Sequence, residues 1–270
     1  MIKRETYVSK IRGFYDSDLI KIITGVRRCG KSVILQQIME EIRERSNNIV
    51  YMDFEDRATT RFIETWTDVV DYVEQNRTEA LCYVFLDEIQ EINDWPLVCK
   101  SLRVQNCSVF ITGSNSKLLS GEFTKELSGR YVSFQIRPFV YQELVEYGKE
   151  LGKTVSITDY LIWGGFPKRL EFQTEEEQLR YLNDLDKTIV ENDIIYRYQI
   201  RKQVEFQKFA NYVLISNARL YSAKSIANYM SSHGINCSAN TIQKWISYLA
   251  EAYIIDELNR FSRKAKKELE

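Results

Sequence analysis

The sequence predicts an α/β fold: a parallel sheet sandwiched by helices, followed by a largely helical C-terminal part. Three observations carry this. Short apolar runs at 19–23, 49–54, 82–86 and 108–112 have the length and composition of buried parallel strands. Over residues near 1–135 these alternate with helical spacing, as in Ile34, Leu35, Ile38 and Ile42. Beyond Arg137-Pro138 the strand-like runs give way to helical spacing.

The first strand, Leu19-Ile20-Lys21-Ile22-Ile23, runs into Gly25-Val26-Arg27-Arg28-Cys29-Gly30-Lys31-Ser32, a G-x-x-x-x-G-K-S spacing with a helix behind it. Glycines there allow backbone angles and close approaches that a side chain would block. Successive N–H groups and the positive end of the new helix then face an anion, so the segment is a candidate phosphate-binding loop. Gly25, Arg27, Arg28, Cys29, Gly30, Lys31, Ser32 and Val33 are the candidate nucleotide contacts. Lys31 is expected to reach the terminal phosphates, and the Ser32 hydroxyl to ligate Mg²⁺. Cationic neighbours and helix N–H groups are expected to lower the thiol pKa of Cys29 and make it reactive.

The strand Ile49–Phe54 ends in Glu55-Asp56. Cys82-Tyr83-Val84-Phe85-Leu86 ends in Asp87-Glu88, at the strand terminus where open α/β sheets bind ligands. Asp87 suits the metal shell, and Glu88 suits a base that orients and deprotonates water. Ser108–Thr112 stops at Gly113-Ser114-Asn115-Ser116, small polar residues at a strand end that by themselves read as a plain turn.

These pieces resemble one family. Gly25-Val-Arg-Arg-Cys-Gly-Lys-Ser, Leu86-Asp-Glu-Ile-Gln, Trp95, Ile111-Thr-Gly-Ser-Asn-Ser, Leu127-Ser-Gly-Arg and Gly164-Gly-Phe-Pro are similar to segments of prokaryotic AAA-superfamily P-loop ATPases with a C-terminal domain of unknown function. The resemblance runs from Lys3-Arg4 to the basic tail. It implies an ATPase with ATP and Mg²⁺ as ligands, Lys31, Ser32, Asp87 and Glu88 at the phosphates, and a sensor at Ser114 or Asn115. Arg130 matches the family's Gly-Arg position, a candidate arginine finger acting in cis or from a neighbouring subunit of a homo-oligomer. Members of the family usually continue well past the point where this sequence stops, often into a nuclease-like fold, and any activity carried there is not transferred.

Net charge is −1, so no global field favours nucleic acid, and the hydrophobic content of 44% is ample for a packed core. No apolar run approaches the ~20 residues that span a bilayer, and no secretory signal opens the chain, which leads to the expectation of a cytoplasmic protein without a membrane partner. Five cysteines without Cys-x-x-Cys spacing fit reduced thiols. The single histidine, His233, excludes His-rich zinc sites. No Asn/Thr-Lys-x-Asp motif supports a GTPase, and Glu88 beside Asp87 suits water activation better than transfer to a kinase acceptor.

The organisation expected is an ATPase core at 1–135, a helical lid at 136–200 and a winged-helix-like domain at 201–270. In the lid, Tyr141–Tyr147, Tyr160–Trp163 and Gln178–Tyr196 carry helical spacing, broken by Gly164-Gly165-Phe166-Pro167. In the last domain, Ile226, Ala227 and Met230 form one buried stripe, and Ile242, Trp245, Ile246 and Leu249 another. His233–Cys237 turns between them and Ser238 caps the second. Asn240, Thr241, Gln243 and Lys244 then sit where a helix-turn-helix reads bases, followed by Arg260, Arg263, Lys264, Lys266 and Lys267 as wing or strand. DNA contact through 222–267 is therefore a candidate, beside a plain protein-docking role. The alternative to a turning-over ATPase is a nucleotide-switched DNA-binding regulator.

Overall fold

A computed structural model describes residues 2–114, 118 and 126–258. By its internal contacts the chain divides into two compact units, Met1–Asn183 and Asp184–Glu270, a boundary that falls within 136–200.

The first unit is built on β1 (Ile20–Thr24), β2 (Ile49–Asp53), β3 (Cys82–Asp87), β4 (Cys107–Gly113) and β5 (Tyr131–Gln135). The strand order is β2-β3-β4-β1-β5, with every pairing parallel. Both faces are covered, so β1, β3 and β4 are buried along their whole length. The period-2 alternation sorts the side chains. Ile20, Ile22, Val84, Leu86, Val109 and Ile111 pack with Val69 and Val73 of α4 (Trp66–Asn76) and Val98, Cys99 and Leu102 of α5 (Trp95–Val104). On the other face Phe85 stacks on Phe110 at 4.5 Å, and Tyr15 meets Phe110 edge-on. Tyr15 follows α1 (Glu5–Arg12), which packs on α2 (Lys31–Arg43). A single helical turn, α3 (Arg57–Thr60), follows β2.

After β5 come α6 (Tyr141–Glu150), α7 (Ile157–Trp163) and the short 3₁₀ turn Pro167–Glu171. Gly164 ends α7 at φ +71°. Gly165 lies so close to Phe139 that a Cβ would stand 2.0 Å from its carbonyl oxygen, which explains the glycine pair. Helix α8 (Glu175–Thr188) opens on three glutamates, as the helix dipole favours, and continues as a π-helix over Ile189–Tyr196.

The second unit holds α9 (Gln203–Ile215), α10 (Ala223–Ser232) and α11 (Ala239–Glu251) around Phe206, Phe209, Ile226, Met230, Ile242, Trp245, Ile246 and Leu249. Ser222 caps α10 and Ser238 caps α11, each accepting a backbone N–H at 3.1 Å. Asn240, Gln243 and Lys244 are exposed, and Thr241 is half-buried. The second unit is helical among the described residues. The segment expected to form a wing, Arg260 to Lys267, lies outside them.

Candidate functional site

The parallel order places the carboxyl ends of β1, β3 and β4 side by side, and the polar strand ends meet there. Gly25 leaves β1 at φ +148°, and a Cβ on it would stand 2.1 Å from the Ile136 carbonyl oxygen. Only glycine fits. The loop then passes Arg28 at φ +66° and reaches Gly30 at φ +99°, the N-cap of α2, which has no side-chain cap. The first N–H groups of α2 are thus left to an external acceptor.

Lys31 is buried, and its ammonium lies 3.3 Å from a Glu88 carboxylate oxygen and 3.3 Å from the Gly25 carbonyl. Glu88 holds the left-handed conformation at φ 51°. Burial pushes its carboxyl pKa up, but the Lys31 charge and a 2.6 Å hydrogen bond from Gln90 outweigh this and hold it below the usual glutamate value. Asp87 is 2% exposed. Burial raises its pKa, restrained by donors from Thr112 and Ser32. Tyr51 also donates to it at 3.2 Å. Thr112 bridges the pair: its hydroxyl donates to Asp87 and accepts the Glu88 backbone N–H at 2.9 Å. Ser32 and Asp87 together offer a hydroxyl and a carboxylate oxygen, the hard donors that suit Mg²⁺.

Ser114 directly follows β4, whose Gly113 pairs with Thr24 beside the loop. Its hydroxyl is buried and has no hydrogen-bond partner among the described residues. Asn115 lies outside the described residues. Arg130 is exposed and immediately precedes β5, at the amino edge of the sheet. Five residues of strand separate it from the carboxyl edge, about 16 Å at ~3.3 Å per residue. The fold therefore does not bring Arg130 to its own phosphate loop.

A cavity of about 600 Å³ opens over these groups. Arg27, Arg28, Gly30, Lys31, Ser32, Val33, Asp87 and Glu88 line one end, with Arg27 paired to Glu55 at 3.1 Å. Ile2, Phe139, Tyr147, Leu151 and Pro167 supply an apolar region. The expectation of a reactive Cys29 is corrected. Its side chain is fully buried, and burial raises its pKa more than Lys31 and Arg4 lower it.

Sequence reasoning missed Thr112 and Gln90, although Thr112 is a polar residue inside an apolar strand and Gln90 belongs to the Leu86-Asp-Glu-Ile-Gln segment. It also missed Arg4, 139 residues from its partner Glu143, for which no local signal exists.

Residues 17–145 match the AAA domain family, and 154–270 match a domain of unknown function, DUF8612. An uncharacterized protein of Haemophilus influenzae is 30% identical over 98% of this chain and 68% of its own length. The chain belongs to the AAA-type P-loop family. A second relative, an uncharacterized protein of Methanocaldococcus jannaschii, is 30% identical over 92% of this chain, which spans 58% of that protein's length. The fold of this AAA chain is similar to that of a Walker-type ATPase of Pyrococcus abyssi, with TM-score 0.65 and 15% identity over 93% of this chain and 90% of that one. No described helix of the AAA chain is long and apolar enough to cross a membrane.

Proposed function

We propose that the first unit binds MgATP and hydrolyses its terminal phosphoanhydride bond. The observation that carries this reading is the Lys31–Glu88 ion pair beside Asp87 in the cavity over the glycine-bounded loop. Phosphate oxygens entering the loop compete for the Lys31 ammonium, which releases Glu88 to orient and deprotonate a water. Mg²⁺, when bound, neutralises phosphate charge; Ser32 and Asp87 are the residues that would hold it. Ser114, whose buried hydroxyl has no partner among the described residues, is the sensor candidate in this reading. The apolar region of Ile2, Phe139 and Tyr147 suits a nucleobase.

In this reading nucleotide state moves the lid at 136–200 and the winged-helix-like domain at 201–270, in a cytoplasmic protein. Arg130 acts on a neighbouring subunit's site. A second reading, a nucleotide-switched DNA-binding regulator with little turnover, is favoured by the capped α11 with Asn240, Gln243 and Lys244 exposed. Phosphate release measured with and without duplex DNA separates the two. Steady turnover, abolished in Lys31→Ala, supports the ATPase. Salt-sensitive DNA binding with ATP held but not turned over supports the regulator.

A further inference from the structure

Arg4 is 1% exposed, and its guanidinium makes four hydrogen bonds. Nε and Nη2 donate to the two oxygens of Glu143 at 3.0 Å each. Nη1 donates to the Cys29 carbonyl at 2.9 Å, and Nη2 also to the Arg137 carbonyl at 2.9 Å. The group lies 4.6 Å from the Tyr7 ring centroid and 5.0 Å from that of Phe139. The Arg4 backbone N–H donates to Gln37 of α2 at 2.9 Å, and Gln37 donates back to the Ile2 carbonyl at 2.7 Å. One cation thus joins the N-terminal segment, the phosphate loop, the connection after β5 and the first turn of α6.

Stability alone is a weak reason for such an arrangement, because desolvating two charges offsets much of their attraction. Geometry is a better one. In a trans peptide the N–H points opposite to the carbonyl of the same peptide unit, and the described residues contain no cis peptide. The Cys29 carbonyl and the Gly30 N–H belong to one such unit. Gly30, at φ +99° and without a Cβ, offers little resistance to a flip of that unit. A phosphate loop works only when its N–H groups converge on the anion and its carbonyls turn away.

We propose that Arg4 is a positioning residue: it grips the Cys29 carbonyl so that the Gly30 N–H stays available to a phosphate oxygen, and Glu143 holds the guanidinium in register for this. The proposal deepens the nucleotide-binding reading and rests on it for its functional consequence. A lysine in the same place would keep the charge facing Glu143. It could not fork onto Glu143 while also reaching two carbonyls in fixed directions.

The test compares the full chain with Arg4→Lys and Glu143→Gln. Three quantities are measured: amide hydrogen exchange of the peptide spanning 25–33 without nucleotide, MgADP affinity, and melting temperature. In Arg4→Lys, exchange in 25–33 rises while β3 and β4 keep wild-type protection. MgADP binding weakens roughly 10- to 100-fold, the value of one hydrogen bond to a charged acceptor. In Glu143→Gln, which leaves the arginine in place, the same changes occur with smaller amplitude, so the test survives if Arg4→Lys fails to fold. Wild-type exchange and affinity in Arg4→Lys would overturn the proposal. So would a uniform rise in exchange across the sheet, which marks a purely structural ion pair. Failure of the wild type to bind MgADP would sink the nucleotide reading instead, and the exchange comparison would still decide whether Arg4 holds the loop.

Discussion

Thr112 shows how a single hydroxyl organises two carboxylates. It donates to Asp87 and accepts from the Glu88 backbone, so it fixes the turn between the two acidic residues. Thr112→Val keeps the shape and removes both bonds, leaving a buried carboxylate short of a donor. The expected cost is about 1–3 kcal/mol, read as a lower urea midpoint, with Thr112→Ser close to wild type. The sequence carried the motif residues clearly, because G-x-x-x-x-G-K-S and an acidic pair after an apolar run report backbone constraints that are local. It could not carry Arg4 with Glu143, since their pairing exists only after folding. Nor could it show that Cys29 is buried, which is what reverses the expected direction of its pKa.

At the scale of elements, β1, β3 and β4 were legible as continuous apolar runs because both of their faces are covered. Edge strand β5 was not singled out: Tyr131–Gln135 is half-buried or exposed throughout and has no such run. Strand β1 also holds an exception, Lys21, fully buried in its middle. Its ammonium donates to the Ser17 carbonyl at 3.1 Å and to the Ser108 hydroxyl at 2.8 Å, and lies 4.5 Å from the Phe110 ring centroid. Burial pulls its pKa down to about 7, with Asp16 and Asp18 opposing more weakly. Between pH 7 and the ordinary lysine range, the unfolded chain therefore binds a proton that the folded chain has lost. Stability from this group rises with pH across that window and falls away as pH drops toward 7. Urea midpoints at pH 7 and pH 9 should show this rise in the wild type, and Lys21→Met should flatten it. An identical slope in both proteins would remove Lys21 as its source.

For the whole molecule, the placement of Arg130 is the most consequential feature. It stands at the amino edge of a sheet whose phosphate loop is at the carboxyl edge, which is why the role proposed for it is played in a second copy of the chain. ATPase rate per subunit should then rise with protein concentration. Arg130→Ala should lower the assembled rate by roughly 10³–10⁵, the range typical of arginine fingers. A concentration-independent rate, unchanged in Arg130→Ala, would leave Arg130 as a surface residue. Glu88→Gln separates binding from water activation at a MgATP site built on Lys31, Ser32 and Asp87. Its ATP binding and its phosphate release should be measured on the same preparation. With Glu88 as the base, ATP should bind as in the wild type with turnover reduced roughly 10²- to 10⁴-fold, because the phosphate and metal ligands remain while the base is lost. Phosphate release at the wild-type rate in Glu88→Gln would contradict that role.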